Sequence, residues 1–408
     1  MGASAGNEMI AIHPEAPESF VEHPAVHVST TISWHENGRL RSAQWRSAAG
    51  ARAPKNVGVA TAGLDVDSAL RNASQGIGML WRADYSNARR LLSDLSKRLD
   101  RKPIRAVPDP AERFYRYRQT RKNRARVLGM LLVELNADLV VDLPRAPDVR
   151  AACREVYGAP GESCIVSLRE LLGVLSAHQW RTLGVYVPAL NARIHPHYGV
   201  FSPTRDEYVD LVASAEIAEV GTAFDIGTGT GVLAAVLARR GVGRVVATDV
   251  APRAVACAQD NVRRLGFGDR VTVTQSDLFP PGRADLVVCN PPWLPATPNS
   301  ALDAAVFDPE GRMLSGFIRG VADHLAVGGE AWLVLSNLAE LLGLRTRGQL
   351  LDEFGAAGLA VLGRLDTRPR HPRAREARGP LGAARAAEQV SLWRLAPAGC
   401  DDRRDRTA

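Results

Sequence analysis

The sequence predicts an α/β domain with a doubly wound parallel sheet over residues 198–398, preceded by a mainly helical domain over residues 61–197. Three observations carry this expectation. After about residue 200, short β-branched runs alternate with helical stretches, the rhythm of parallel βαβ units with right-handed crossovers. A glycine-rich turn, Asp225-Ile226-Gly227-Thr228-Gly229-Thr230-Gly231, joins the first of those runs to a helix. Polar residues close or closely follow the next three runs: Asp249, Asp277 and Asn290. Ligands of doubly wound sheets bind outside the carboxyl ends of the strands, which is where these residues fall.

From the N-terminus, residues 1–60 are rich in Pro, Ser, Gly and His and are expected to be partly mobile. They hold one hairpin candidate: His27–Trp34 alternates, Asn37-Gly38 supplies the turn, and Leu40–Trp45 returns. Over residues 61–197, Ala69-Leu70, Ile77, Leu80-Trp81, Ala88, Leu91-Leu92, Leu95 and Leu99 recur at helical steps. Pro103 and Pro108–Pro110 break that pattern. A second helix begins near Ala111, and Ser167–His178 resembles a third. No second glycine loop and no strand-helix alternation is visible before residue 200. Beyond it, strands are expected at Thr222–Ile226, Val245–Asp249, Val271–Gln275, Leu286–Cys289 and Ala331–Leu335, with Val390–Leu395 as the last. Helices are expected at Thr230–Arg240, Pro252–Leu265, Ala304–Leu325 and Leu338–Gly355, and residues 399–408 as a mobile tail.

A length of 408 residues with 46% hydrophobic content allows two or three domains with real cores. No run of 18 apolar residues is present, so no membrane span and no membrane partner is expected. Met1–Ala16 lacks a signal-peptide core, and Gly6 is wrong for myristoylation. The expected location is cytoplasmic. Cys153, Cys164, Cys257, Cys289 and Cys400 have neither zinc-site nor disulfide spacing, which suits reduced thiols. His195-Pro196-His197 has no further ligand at metal spacing, so it is expected to form a turn and no metal is expected. The net charge of +7 is almost wholly arginine, the lysines being Lys55, Lys97, Lys102 and Lys122. With abundant Ala, Gly and Pro, that skew points to coding bias more than to a polyanionic partner.

The glycine loop narrows the chemistry. Glycines permit positive φ and close approach of a ligand to the backbone, and the following helix presents free N–H groups to a carboxylate or a phosphate. Val232 stands where a dinucleotide fingerprint needs its third glycine, and no Gly-Lys-Ser/Thr ending marks a nucleotide phosphate loop. Asp249, at the end of the second strand, can bind ribose hydroxyls. Asp277 can accept from an exocyclic adenine amine while Leu278 packs the ring. Either acid can equally cap a helix, Asp249 before Pro252 and Asp277 before Pro280. Asn290-Pro291-Pro292-Trp293 ends the fourth strand. Its prolines fix φ and lack N–H groups, so the Asn290 amide oxygen and the Pro291 carbonyl can both accept from one NH2 group. Trp293 offers a stacking surface. In isolation the same tetrapeptide would be a strand-ending turn.

Taken in order, Asp225–Gly231, Asp249, Asp277 and Asn290–Trp293 resemble the class I methyltransferases. Residues from about Tyr198 to Gly343 look most like the HemK-type small methyltransferases, and Ser202–Glu207 is similar to their proline-containing entry segment. The resemblance implies a Rossmann-like, seven-stranded sheet and S-adenosyl-L-methionine as cofactor. It implies a cofactor site of Asp225, Gly227, Thr228, Gly229, Thr230, Gly231, Asp249, Asp277, Leu278 and Asn290, and catalytic residues Asn290, Pro291, Pro292 and Trp293. The implied activity is N-methylation of a planar nitrogen, foremost protein glutamine. The alternatives are an RNA or DNA base amino group, or a non-catalytic cofactor-binding scaffold. Two departures bear on the acceptor: Trp293 replaces the more usual tyrosine, and some 200 residues precede the catalytic region. Within those residues Arg113-Phe114-Tyr115-Arg116-Tyr117-Arg118, with Arg121, Lys122, Arg124 and Arg126, reads either as a nucleic-acid contact or as the solvated face of an amphipathic helix. The partner is therefore expected to be a protein or a nucleic acid.

Overall fold

The computed structural model describes residues 30–101, 107–298, 303–370 and 379–399. The expected hairpin is β1 (Thr31–Glu36) and β2 (Arg39–Trp45), paired antiparallel. Asn37 and Gly38 take φ of 52° and 71°, the two positive values a two-residue hairpin turn requires. Then follow β3 (Asn56–Ala60), α1 (Val66–Ser74), β4 (Ile77–Trp81), α2 (Tyr85–Asp100), α3 (Pro110–Leu128), β5 (Leu131–Leu135), α4 (Arg150–Tyr157), β6 (Cys164–Ser167) and α5 (Leu168–Leu183). These strands form one six-stranded sheet in the order β1-β2-β6-β5-β4-β3.

The mainly helical domain at 61–197 is therefore corrected to an α/β domain, and strand-helix alternation does occur before residue 200. The physical reason is burial on both faces. Ile165 and Leu131–Val133 are buried, as are Met79-Leu80-Trp81 in β4. Strands covered on both sides read as solid apolar runs without alternation, and short runs of that kind match a helical ladder equally well. One face packs Met79, Trp81, Leu131, Val133 and Val166 against the helices. The other packs Leu80, Leu132 and Ile165 against Ile32 and Trp34 of β1. The expected boundary at residue 60 also falls inside this sheet, between β3 and β4, which pair in parallel. Residues 30–60 thus belong to the domain. The mobility expected for residues 1–29 and 400–408 lies outside the described residues.

A small hairpin, β7 (Val185–Val187) and β8 (Ala192–Ile194), leads into the second domain. There the chain runs α6 (Glu207–Ser214), β9 (Thr222–Ile226), α7 (Val232–Arg239), β10 (Arg244–Asp249), α8 (Pro252–Arg264), β11 (Val271–Gln275), β12 (Ala284–Cys289), α9 (Arg312–Gly320), β13 (Leu325–Ser336), α10 (Leu338–Leu341), α11 (Arg347–Ala356), β14 (Leu359–Thr367), α12 (Gly382–Ala386) and β15 (Val390–Pro397). The seven-stranded sheet has the order β11-β10-β9-β12-β13-β15-β14, as the doubly wound reading requires. β15 is antiparallel to both neighbours. The strand order reverses between β9 and β12, and these two strands lie side by side. That reversal opens a crevice at their carboxyl ends.

Helix α3 links the two domains. Its Phe114 is buried against Leu294, Ala296, Leu338 and Leu381 of the second domain. Burying one such ring contributes about 2–3 kcal/mol.

Candidate active site

The glycine loop leaves β9 at Ile226 and enters α7 at Val232. Gly227, Gly229 and Gly231 have φ of 71°, 56° and 79°, values that tax any residue with a Cβ. Space adds to the requirement at Gly231, where a Cβ would stand 3.1 Å from Ala258 Cα, whereas one on Gly227 would meet only the movable end of the Met313 side chain. Gly227, Thr228, Gly229 and Thr230 line a cavity of about 1350 Å³ between the strand ends and α3. Asp225 and Gly231 do not reach it. Asp225 is turned inward and 1% exposed. Its Oδ2 accepts from Thr228 Oγ1 at 2.6 Å and from the Ala234 N–H at 2.9 Å, so this carboxylate ties the loop to the first turn of α7. Burial pushes its pKa up to about 6, against the pull of both hydrogen bonds. Asp225 and Gly231 shape the loop from behind, and its middle, Gly227 to Thr230, lines the cavity.

Asp249 does line the cavity. Its Oδ2 accepts from the Gly229 N–H at 3.0 Å and its Oδ1 from the Ala251 N–H at 2.9 Å. It binds the loop and the entrance of α8, whose cap position is Ala251. Each carboxylate oxygen keeps a further lone pair for a hydroxyl. Burial raises the Asp249 pKa, while its backbone donors lower it. Asp277 is exposed, lines the same cavity and makes no hydrogen bond among the described residues. No helix starts at Pro280, so the capping alternative for Asp277 is not realised. Leu278 has φ of 68°, a strained value for a bulky residue. Thr248 Oγ1 holds this turn by donating to the Leu278 carbonyl at 2.6 Å. Thr248 is fully buried and was not legible as a site residue.

At the end of β12, Asn290, Pro291, Pro292 and Trp293 all line the cavity, beside the end of β9 from which the glycine loop leaves. Asn290 Oδ1 accepts from Trp293 Nε1–H at 2.9 Å. The Trp293 ring also carries the Arg205 guanidinium, 5.5 Å from its centroid. One ring face is thus already taken, and Trp293 supports Asn290 as well as bounding the cavity. Arg205 is held by Glu207, Nε to Oε1 at 2.7 Å, and by Glu388, Nη1 to Oε2 at 3.3 Å. Glu388 had no sequence signal at all: it lies between α12 and β15, about a hundred residues beyond the clamp.

The first domain completes the far wall. Phe114, Tyr117 and Arg118 of α3 line the cavity. Arg118 lies 3.6 Å from the Phe307 ring centroid and donates to the Thr297 carbonyl. Neither reading of the basic segment anticipated that one face of α3 is built into the site. Elsewhere, His195 Nδ1 sits 2.6 Å from the Arg181 carbonyl oxygen and His197 Nε2 lies 3.5 Å from Asp260, as in a structured connector. Among the described residues no cluster of three His, Cys, Asp or Glu side chains is placed to hold a metal ion. No described helix is long and apolar enough to cross a membrane.

The donor set fits an adenosine-type ligand: bare glycine backbone before a helix N-terminus, then two acids and an apolar side chain along adjacent strand ends. The cavity exceeds the usual volume of a single-ligand pocket, roughly 300–1,000 Å³, which leaves room for a second reactant. The family model for the methyltransferase small domain matches residues 191–357. The release factor glutamine methyltransferase of Cereibacter sphaeroides is 34% identical over 180 residues, covering 41% of this chain and 63% of that protein. That of Moorella thermoacetica is 32% identical over 194 residues, covering 41% of this chain and 67% of that protein. The tRNA1(Val) (adenine(37)-N6)-methyltransferase of Shewanella loihica is 28% identical over 146 residues, covering 33% and 60% of the two chains. The chain thus spans about two thirds or less of the length of each of these relatives.

Proposed function

Because this chain belongs to the HemK-type class I S-adenosylmethionine-dependent methyltransferases, we propose that it methylates the side-chain amide nitrogen of a protein glutamine. S-adenosylmethionine is its cofactor and supplies a methyl group activated on a sulfonium. Gly227 to Thr230 form the backbone cradle for the methionine part, Asp249 takes the ribose hydroxyls, and Asp277 with Leu278 takes the adenine. The observation that carries the acceptor assignment is Asn290: its amide oxygen is fixed at the end of β12, on the cavity, next to the strand end from which the glycine loop leaves.

Asn290 Oδ1 has a second lone pair beyond the one Trp293 uses. That lone pair and the Pro291 carbonyl accept the two hydrogens of the acceptor NH2. Both acceptors are neutral dipoles fixed before reaction, and they stabilise positive charge developing on the nitrogen. Alignment supplies the rest, since two reactants held in reacting geometry gain several kcal/mol, about 7–11 at the limit. Asn290→Ala should abolish methyl transfer while cofactor affinity, measured by calorimetry, stays within a few fold. Normal turnover in that variant would remove Asn290 from its role.

A second reading has a specific observation behind it. A base amino group offers the same planar NH2, and α3, which walls the cavity, turns Arg121 and Lys122 to solvent beside it. Contacts of this kind give binding that weakens steeply with salt.

A further inference from the structure

Beneath the clamp, the Trp293 bond to Asn290 continues into a chain of contacts that the acceptor assignment does not use. We propose that Glu207, Glu388, Arg205 and Trp293 form a positioning relay that fixes the rotation of the Asn290 amide. The proposal rests on Asn290 being the acceptor clamp.

Each link is present in the structure. Ser336 Oγ donates to Glu388 Oε1 at 2.7 Å, and the Leu338 N–H donates to Ser336 Oγ at 3.0 Å. Glu388 and Glu207 are 2% and 1% exposed and hold Arg205 from two sides. Arg205 lies on the Trp293 ring, and Trp293 Nε1–H donates to Asn290 Oδ1. An asparagine amide has two orientations that differ by exchange of its oxygen and its NH2. An indole N–H is a donor only, so it accepts one of them: oxygen inward at the indole, with its second lone pair left for the acceptor. Without that donor the amide can flip and present NH2 hydrogens to the acceptor's own NH2, which is repulsive. This gives the tryptophan a reason. Phenylalanine has no donor, and a tyrosine hydroxyl sits at the far tip of its ring.

The cost of the relay argues that it is used. Two buried carboxylates share one guanidinium, and Arg205 Nη2 and Glu207 Oε2 are buried without hydrogen-bond partners among the described residues. Charged groups in that condition are expensive to keep. What the arrangement secures is a guanidinium plane locked over an indole beside the reacting centre, an attraction that strengthens with desolvation.

The test reads the bond and the rate separately. Indole N–H signals are followed by two-dimensional 15N NMR on the full chain, and the Trp293 signal is identified by its loss in Trp293→Phe. In Asn290→Ala and in Arg205→Ala that signal should shift and exchange faster with water. Methyl transfer should fall at least tenfold in both Trp293→Phe and Arg205→Ala, with cofactor affinity unchanged, and Arg205→Lys should recover only part of it. A Trp293 signal indifferent to Asn290→Ala would overturn the relay. So would wild-type transfer by Trp293→Phe alongside a dead Asn290→Ala. Full activity in Asn290→Ala would instead overturn the clamp reading, a failure the indole signal distinguishes because it needs no turnover.

Discussion

Replacing Asp225 by asparagine removes a charge from the hinge of the glycine loop without removing its acceptor. The carboxylate is 1% exposed, and burial pushes its pKa up to about 6. In the unfolded chain the same carboxyl titrates at about 3.9. Between those values the folded state holds a proton that the unfolded state has released, so stability falls as pH rises. The contribution is fully present below about pH 4 and lost as pH passes through about 6. At about 1.4 kcal/mol for each pH unit between the two values, the effect amounts to about 3 kcal/mol. The asparagine side chain cannot ionise, yet its amide oxygen can still accept from Thr228 Oγ1 and the Ala234 N–H. Its buried NH2 adds a constant penalty of about 1–3 kcal/mol at every pH. Urea unfolding of both proteins from about pH 4 to about pH 8 separates the two effects. The stability difference, wild type minus variant, should shrink by about 2 kcal/mol between about pH 4 and pH 7. Parallel stability profiles would refute the assignment of a raised pKa to Asp225.

Three further predictions concern the glycine loop and the acid that binds it. Asp249→Ala removes the acceptor that positions the Gly229 N–H and the proposed ribose contact, and cofactor affinity by calorimetry should fall about 10–100-fold, the equivalent of about 1.5–3 kcal/mol; unchanged affinity would take Asp249 out of the site. Gly231→Ala places a methyl 3.1 Å from Ala258 Cα at φ +79°, so thermal or urea unfolding should show a loss of about 2–4 kcal/mol, the left-handed cost plus overpacking. Gly229→Ala, whose methyl meets nothing within 4 Å, should lose only about 1–2 kcal/mol.

The second domain was legible in the sequence because its signals are local and consecutive. β9, the glycine loop and α7 follow one another within one short stretch, and so do β12 and the Asn290 clamp. Each half of a βαβ unit announces itself by periodicity and punctuation. The first domain was not legible for the opposite reason. Met79-Leu80-Trp81 is a strand buried on both faces, and it joins Ile77 and Ala88 in a spacing a helix would also produce. At the site, residues that reach the cavity from neighbouring strand ends were found, whereas those that arrive by tertiary packing were not. Glu388 approaches from the turn before the last strand and Arg118 from another domain, and no spacing rule links either to Asn290. Asp225 shows a third limit: its place beside the glycines was evident, but not that its side chain points into the core. Trp293 shows a fourth, since its aromatic character was visible and its N–H bond back to Asn290 was not.

The central claim, methyl transfer to a protein amide nitrogen, is tested most directly by locating the transferred methyl group. The full-length protein is incubated with S-adenosylmethionine carrying a labelled methyl group and a cell extract from its own source. The extract is then divided between nuclease and protease digestion, and the labelled products are resolved by mass spectrometry. The expected result is label that survives nuclease, is released by protease and resides on N5-methylglutamine, with none transferred by Asn290→Ala. Label recovered on a nucleobase amine would contradict the glutamine assignment, and no transfer to any component of the extract would contradict the activity itself.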